Sequence, residues 1–231
     1  MKPPLASNHT LPWPSILIMV VALCAWASLL WSAEFSSGFT VAENFERYSD
    51  GVFPDKWHSS NRSGARNIYR VRSENNNRFL RAHANQQAVH IGLEYIFDPK
   101  SQKHLHWRWR VHALPDGADE RDSEKHDAAA QVYVVFDNQV WPRVIKYVWS
   151  SALPAGMRFT NPLYNRGRIV ILRSGSQEKD KWYEESIDFY EDYKRFFGEE
   201  PGKVQGIGIL SSSDATKSLV IADYDDFKLL P

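Results

Sequence analysis

Short runs in which apolar and polar residues alternate recur along the chain, and this period of two constrains its fold more than any other feature. The clearest run is residues 104–112, where a β-strand would direct successive side chains to opposite faces of a sheet. One face then carries Leu105, Trp107, Trp109 and Val111, and the other carries His104, His106, Arg108, Arg110 and His112. This pattern predicts a strand with one buried face and one polar face.

Similar runs follow one another at the spacing of a sandwich or barrel. Residues 67–73 and 78–83 predict a hairpin, and a helix is predicted only at residues 190–197, where Gly198 ends it. The other predicted strands are residues 87–97, 104–112, 128–136, 144–149, 168–172, 182–189, 204–210 and 219–227. The sequence therefore predicts an all-β fold, a β-sandwich of jelly-roll type with one short helix.

The N-terminal region contains an apolar run, residues 15–31, that is about as long as the shortest membrane helices. Lys2 precedes the run and Glu34 follows it, so the positive-inside bias places the rest of the chain outside the cytoplasm. A cleaved signal peptide and an uncleaved signal anchor both fit this segment. The anchor is favoured because cleavage after Ala33 would leave Trp31 at the −3 position, where a small residue is preferred.

The predicted organisation is a signal anchor or signal peptide at residues 1–33, a tether at 34–38 and a β-sandwich domain at 39–231. The expected location is the bacterial cell envelope. The chain is either anchored in the inner membrane through residues 15–31, with its domain in the periplasm, or secreted to the periplasm after cleavage. The single cysteine, Cys24, excludes an internal disulfide framework and a cysteine-rich zinc site.

Charge and glycine spacing exclude further classes of protein. The 28 basic and 28 acidic residues leave no net charge, which argues against a nucleic-acid partner. Gly206 and Gly208 lie inside a predicted strand, which indicates close packing of the backbone rather than a phosphate-binding loop. No cofactor is therefore expected.

A series of short motifs resembles one known family. The motifs are Trp107-Arg-Trp-Arg-Val111, the loop at Asp127, Gln131-Val-Tyr-Val-Val-Phe136, Tyr147-Val-Trp149, Asn161-Pro162, Gly206-Ile-Gly-Ile-Leu210 and Ser213-Asp214-Ala215-Thr216. In this order they resemble the bacterial family called domain of unknown function 3047, over residues 39–230. The resemblance implies an exported, β-rich protein with no established activity.

The chain also departs from the pattern of that family. The family tends to have paired aspartates where His126 and Asp127 stand, and a basic residue where Gln131 stands. It also has a fuller Asp-x-Asp-Asn-Thr run around Asp214. If these positions hold a ligand, the resemblance implies that binding is altered or weakened in this chain.

A binding face is predicted if strands 104–112, 128–136 and 144–149 are neighbours in one sheet. Aromatic rings pack on the C–H faces of sugars, and Arg or Gln side chains donate to hydroxyl and carboxylate groups. The predicted function is therefore non-catalytic binding of an envelope or extracellular glycan, acidic glycans included. The predicted ligand-binding residues on this face are Arg108, Arg110, Gln131, Tyr133, Tyr147 and Trp149, and the motifs of the resemblance add Asp127, Asn161 and Asp214. In the alternative, the aromatic residues are core and the arginines cover a solvated sheet face.

Two other functions remain open. A glycan hydrolase or lyase would use Asp127 and Glu94 as acid and base, since such enzymes need two carboxylates beside one bond. A structural subunit would instead dock a protein partner through the same face. His104 and His106 are weak candidate metal ligands, because arginines on their face would repel a dication, so no metal is expected. The acidic loop at residues 116–127 is predicted to be solvated.

Overall fold

Thirteen strands and two helices build the part of the chain that the structure, a computed structural model, describes, namely residues 38–137 and 140–231. The strands are β1 (Thr40–Glu43), β2 (Trp57–His58), β3 (Tyr69–Glu74), β4 (Asn77–Asn85), β5 (Ile91–Phe97), β6 (His104–Ala113), β7 (Ala130–Phe136), β8 (Arg143–Ser150), β9 (Arg158–Thr160), β10 (Gly167–Ser174), β11 (Tyr183–Asp188), β12 (Val204–Leu210) and β13 (Leu219–Leu230). The helices are α1 (Arg62–Ile68) and α2 (Phe189–Phe197).

The strands form two sheets. The six-stranded sheet has the order β11-β6-β13-β4-β3, with β1 also paired to β13. The seven-stranded sheet has the order β2-β5-β12-β7-β8-β10-β9. Strands β8 and β10 run parallel, and the other described pairs are antiparallel. A parallel pair needs a crossover, and residues 151–166 provide it.

The core lies between the sheets and is rich in aromatic rings. Trp107 and Trp109 of β6 pack on Tyr147 and Trp149 of β8, with ring centroids 6.0 Å and 5.9 Å apart. All four side chains have 0% exposure. The predicted apolar face of residues 104–112 is thus confirmed, and so is the β-sandwich. Its jelly-roll type stays a prediction.

Local signals at turns and caps explain where two elements begin and end. The predicted hairpin is β3–β4, whose two-residue turn is Asn75-Asn76, with φ angles of +51° and +62°. Asn tolerates this left-handed conformation better than most residues. The predicted helix is α2, where Asp188 accepts a hydrogen bond from Glu191 N and Gly198 ends the helix with φ +74°. Helix α1 was not predicted, because its two turns carry no apolar periodicity.

The structure does not bear on the N-terminal segment. The predicted signal anchor or signal peptide at residues 1–33, including the apolar run 15–31, lies outside the described residues. In the described part of the chain, no helix has the length and apolar character to cross a membrane. Residues Gly38–Pro231 form one unit.

Candidate functional site

The expectation that Arg108, Tyr133 and Trp149 share one sheet face is wrong. Strand β6 lies in the six-stranded sheet, whereas β7 and β8 lie in the other sheet. Tyr147 is opposite Val132 in the β7–β8 pair, so Tyr147 and Trp149 point into the core and are buried. Alternation assigns residues to two faces of each strand, but it does not say which faces of neighbouring strands coincide.

Arg108 and Arg110 lie on the outer face of the six-stranded sheet and are engaged by acidic residues of the chain. Arg110 is 2.8 Å from Oδ2 of Asp223, and Arg108 is 2.6 Å from Oδ2 of Asp225. Both guanidinium groups lie 4.7 Å from the ring of Trp182. These contacts match the alternative prediction, in which the arginines cover a sheet face above core aromatics.

The histidine pair on the same strand also has neighbours of its own. The Nδ1 atom of His104 lies 2.6 Å from the carbonyl oxygen of Pro231, and its Nε2 atom is 3.7 Å from Asp188. His106 lies opposite Ser186 and Lys228. Among residues 38–137 and 140–231, no group of three or more His, Cys, Asp or Glu residues is arranged to hold a metal ion.

The carboxylates of Asp127 and Glu94 do not form the predicted acid/base pair. Glu94 of β5 pairs with Gly206 of β12, and Gly206 pairs in turn with Val135 of β7. Asp127 lies beyond the other end of β7, and the five steps from Ala130 to Val135 alone span about 16 Å. Carboxylates that act on one glycosidic bond are about 5–10 Å apart. The two residues therefore cannot flank one bond.

A cavity of about 220 Å³ lies on the outer face of the seven-stranded sheet, and we call it the outer cleft. Its polar lining residues are His90, Glu120, His126, Gln131, Lys146, Asn161, Ser212 and Asp214. Its apolar lining residues are Ala88, Val148, Leu163, Ile169 and Leu210. The structure thus brings together three of the predicted ligand-binding residues, Gln131, Asn161 and Asp214.

One side of the outer cleft is held in place by Asp127. Its Oδ2 atom accepts hydrogen bonds from the backbone N–H of Thr216 at 2.7 Å and from the Thr216 hydroxyl at 2.8 Å. Ser212 Oγ accepts from Ala128 N and from Nε2 of Gln131. Through these hydrogen bonds, Asp127 holds the loop that contains Asp214 next to the start of β7.

The opposite side of the cleft is built by the crossover between β8 and β10. Leu153, Met157 and Phe159 of this crossover pack on Val148 and on the outward side chains of β10, forming a second small core. The crossover then continues to Asn161 and Leu163, which line the outer cleft. The side-chain Oδ1 of Asn161 accepts from Leu163 N at 2.9 Å, leaving its Nδ2 group for other partners.

Two polar groups in the outer cleft lack partners among the described residues. Lys146 lies opposite Tyr133 and Ile169 in the sheet, is half-buried, and makes no ion pair or hydrogen bond there. The Nζ atom of Lys146 lies 5.5 Å from the centre of the Tyr133 ring. Burial lowers the pKa of Lys146 to about 8. The buried Oδ1 atom of Asp214 also has no hydrogen-bond partner within residues 38–137 and 140–231. A buried group of this kind costs free energy unless a partner reaches it.

Glu120 has one carboxylate oxygen with a partner and one without, although it lies in the loop predicted to be solvated. It is only 2% exposed. Its Oε2 atom accepts from Ser150 Oγ at 2.8 Å, while Oε1 has no partner among the described residues. Burial raises the pKa of Glu120 to about 7. Near neutral pH this carboxyl group can therefore both donate and accept a hydrogen bond in the outer cleft.

A second cavity, of about 230 Å³, lies beside the outer cleft and includes Glu94 in its wall. Three glycines of β5 and β12 line it, and the ring of Tyr133 covers one of them, Gly208. A Cβ atom at position 208 would come within 1.9 Å of this ring. The close packing predicted at Gly208 is therefore present. Tyr133 Oη lies 3.0 Å from His90 Nδ1, so the two cavities meet at this pair.

Sequence reasoning missed Lys146 and Glu120. A signal for Lys146 was present, because residues 144–149 alternate and Lys146 is the polar residue on the face opposite Tyr147 and Trp149. Choosing the polar face of this strand would have selected it. No pattern distinguishes Glu120 from the other carboxylates of its loop, since its burial results from contacts with distant Ser150.

Comparison with known proteins gives a matching family and likenesses to solved structures. The family model described as "Protein of unknown function (DUF3047)" matches residues 55–228. No curated protein matches the chain. The Emp47p carbohydrate recognition domain is similar at 9% identity and a TM-score of 0.42, covering 85% of this chain and 98% of that one.

Two further structures are similarly distant. The xyloglucanase domain of NopAA from Sinorhizobium fredii has 10% identity and a TM-score of 0.41, covering 83% of this chain and 97% of that one. A carbohydrate-binding module specific for non-crystalline cellulose, CBM28, has 11% identity and a TM-score of 0.36, covering 83% and 94%. At such scores, function has to be argued from the residues of this chain alone.

Proposed function

The chain belongs to the family described as "Protein of unknown function (DUF3047)", and from its outer cleft we propose that it binds an acidic glycan without catalysis. The observation that carries the proposal is Lys146, a half-buried ammonium group without an ion pair or hydrogen bond among the described residues. A sugar carboxylate in the outer cleft would supply the missing counter-charge. Charge-assisted hydrogen bonds of this kind are stronger than those between neutral groups.

The rest of the outer cleft fits a sugar ring. Gln131 Oε1 and the Asp214 carboxylate can accept hydrogen bonds from hydroxyl groups, and the Nδ2 group of Asn161 can donate to them. Leu163, Ile169 and the other apolar lining residues provide surface for the C–H groups of the ring. A few polar groups placed around an apolar wall are typical of small-ligand sites.

We also propose that this site faces the periplasm. The support is the apolar run at residues 15–31 with Lys2 before it, as argued from the sequence. The chain departs from the family pattern at His126, at Gln131 and in the run around Asp214, and these three residues line the outer cleft. This supports a ligand preference that differs from that of other members of the family.

The test is calorimetric titration of the full chain with a uronic-acid oligosaccharide and with the same oligosaccharide after carboxyl reduction. We expect the acidic form to bind at least about tenfold more tightly, which corresponds to ~1.4 kcal/mol. Its affinity should fall as the pH rises through about 8, where free Lys146 loses its charge. Mass spectrometry of the same mixtures detects fragments.

Two variants make this test specific. Lys146→Gln should abolish the preference for the acidic form, whereas Lys100→Gln removes an equal charge from an exposed turn and should leave it unchanged. Equal binding of both oligosaccharides, or no binding of either, would contradict the acidic-glycan proposal. Fragments that disappear in Glu120→Gln would show instead that the outer cleft is catalytic.

A further inference from the structure

The outer face of the six-stranded sheet carries two arginines directly opposite each other. Arg70 of β3 pairs in register with Arg81 of β4. Like charges in this position destabilise a sheet unless something neutralises them. Arg81 is neutralised by Asp223, at 2.7 Å and 2.9 Å, but in the described part of the chain Arg70 donates only to the carbonyl oxygen of Tyr69. Within the described residues no carboxylate pairs with Arg70.

Asp223, which pairs with Arg81, has no capacity left for Arg70. Its carboxylate has 0% exposure and also receives Arg110 and His112, both at 2.8 Å from Oδ2. The two contacts with Asp223 use Nε and Nη2 of Arg81, so Nη1 remains available. Asp223 therefore holds the guanidinium of Arg81 in place without consuming all of its donors.

Arg70 and Arg81 line a cavity of about 500 Å³. Among the residues that the structure describes, its wall contains Arg70, Arg72, Arg81 and His83 and no carboxylate. Arg72 forms an ion pair with Asp50 at 3.8 Å. Both groups are exposed, so this contact is weak. Several cationic groups thus converge on one concave space in a chain whose total charge is zero.

The sequence of this region also has more basic than acidic residues. Residues 62–81 contain six arginines and a single carboxylate, Glu74. Glu74 is 2.9 Å from Arg110, so it does not compensate Arg70 or Arg72. Folding alone gives no reason to place these charges side by side, since each repels the others.

We propose that this cavity, the arginine pocket, binds the oxyanion group of a small ligand, either a phosphate ester or a carboxylate, between Arg70 and Arg81. Guanidinium groups match both oxyanions with paired hydrogen bonds. A volume of about 500 Å³ exceeds that of the oxyanion itself, so the ligand carries further atoms, as a sugar phosphate or a uronic acid does. The pocket lies on a different sheet from the outer cleft and does not depend on the function proposed for that cleft.

The test measures binding to the full chain by calorimetry and thermal unfolding at constant ionic strength. The probes are inorganic phosphate, glucose 6-phosphate and glucuronate, with glucose and chloride as references. We expect at least one oxyanion probe to bind and to raise the melting temperature above its value in chloride. Tighter binding of glucose 6-phosphate identifies a phosphate ester as the preferred group, and tighter binding of glucuronate identifies a carboxylate.

Variants separate this pocket from a general effect of charge and from the outer cleft. Arg70→Ala should weaken binding at least tenfold, while its melting temperature in chloride stays the same or rises because a repulsion is removed. Arg195→Ala removes an exposed charge elsewhere, and Lys146→Gln disables the outer cleft; neither should change this binding. The proposal is overturned if no oxyanion probe exceeds chloride, if Arg70→Ala binds normally, or if Arg195→Ala loses binding equally.

Discussion

At the scale of single residues, Glu120 shows how burial sets the proton affinity of a group. The pKa of the Glu120 carboxyl group rises from 4.5 to about 7, and the largest cause is desolvation by burial. At pH values between these two pKa values, Glu120 is deprotonated in the unfolded chain but keeps its proton in the folded protein. The folded state therefore loses stability as the pH rises through this window, by roughly 3 kcal/mol in total.

Glu120→Gln should remove this pH dependence, because the amide stays neutral and can still accept from Ser150. We expect the variant to be more stable relative to the unmodified chain at pH 8 than at pH 5, by roughly 2–3 kcal/mol. Urea unfolding at the two pH values measures this difference. Glu124→Gln, at an exposed position of the same loop, is the control and should show no such gain. An equal effect of Glu120→Gln at both pH values would contradict the burial argument.

Individual residues of the site were only partly predictable from the sequence. Gln131, Asn161 and Asp214 were predicted and line one cavity. Strand alternation placed Gln131 on a polar face, whereas Asn161 and Asp214 belong to motifs that resemble the family. Trp149 was predicted as a ligand contact but lies in the core. Its surroundings depend on which strand faces β8 across the sandwich, and that partner, β6, is distant in the sequence.

At the scale of elements, the long strands were predictable and the short ones were not. The predicted strands at residues 104–112 and 204–210 correspond to β6 and β12 almost residue for residue. Strands β2 and β9 have two and three residues, too few to show any period. The assignment of strands to sheets was also beyond the sequence, since alternation is identical in both sheets.

The strand β8 gives a prediction that separates core from site. Trp149 packs on Trp109 and donates to the carbonyl oxygen of Gly175 at 3.1 Å. Trp149→Ala should therefore destabilise the fold by about 3–5 kcal/mol through the cavity it leaves, and Trp149→Phe should cost less. Chemical unfolding measures both. Normal stability in Trp149→Ala, together with lost glycan binding, would show that the ring contacts ligand rather than core.

At the scale of the whole molecule, the sandwich presents two chemically different outer surfaces. The outer cleft lies on the seven-stranded sheet, and the arginine pocket lies on the six-stranded sheet. Because the core separates the sheets, ligands at the two sites would not compete directly. Calorimetric titration at one site in the presence of the other ligand would measure any coupling between them.

The proposed location is a prediction about the whole chain. In intact bacterial cells, the chain should resist added protease, and it should be digested once the outer membrane is permeabilised. An uncleaved anchor would keep the protein with the membrane fraction, and a cleaved signal would release it with the soluble periplasmic proteins. Cytoplasmic β-galactosidase serves as the protected control. Protection of the chain after permeabilisation would contradict the proposed orientation.

Strand β13 has a consequence for the timing of folding. It is synthesised after the other described strands, yet it lies between β6 and β4 and also pairs with β1. While the ribosome still holds residues 219–230, three strands lack the partner that joins them, so the six-stranded sheet can close only after β13 has emerged from the ribosome. A chain stalled or truncated before β13 would expose open strand edges, the surfaces through which β-rich chains aggregate.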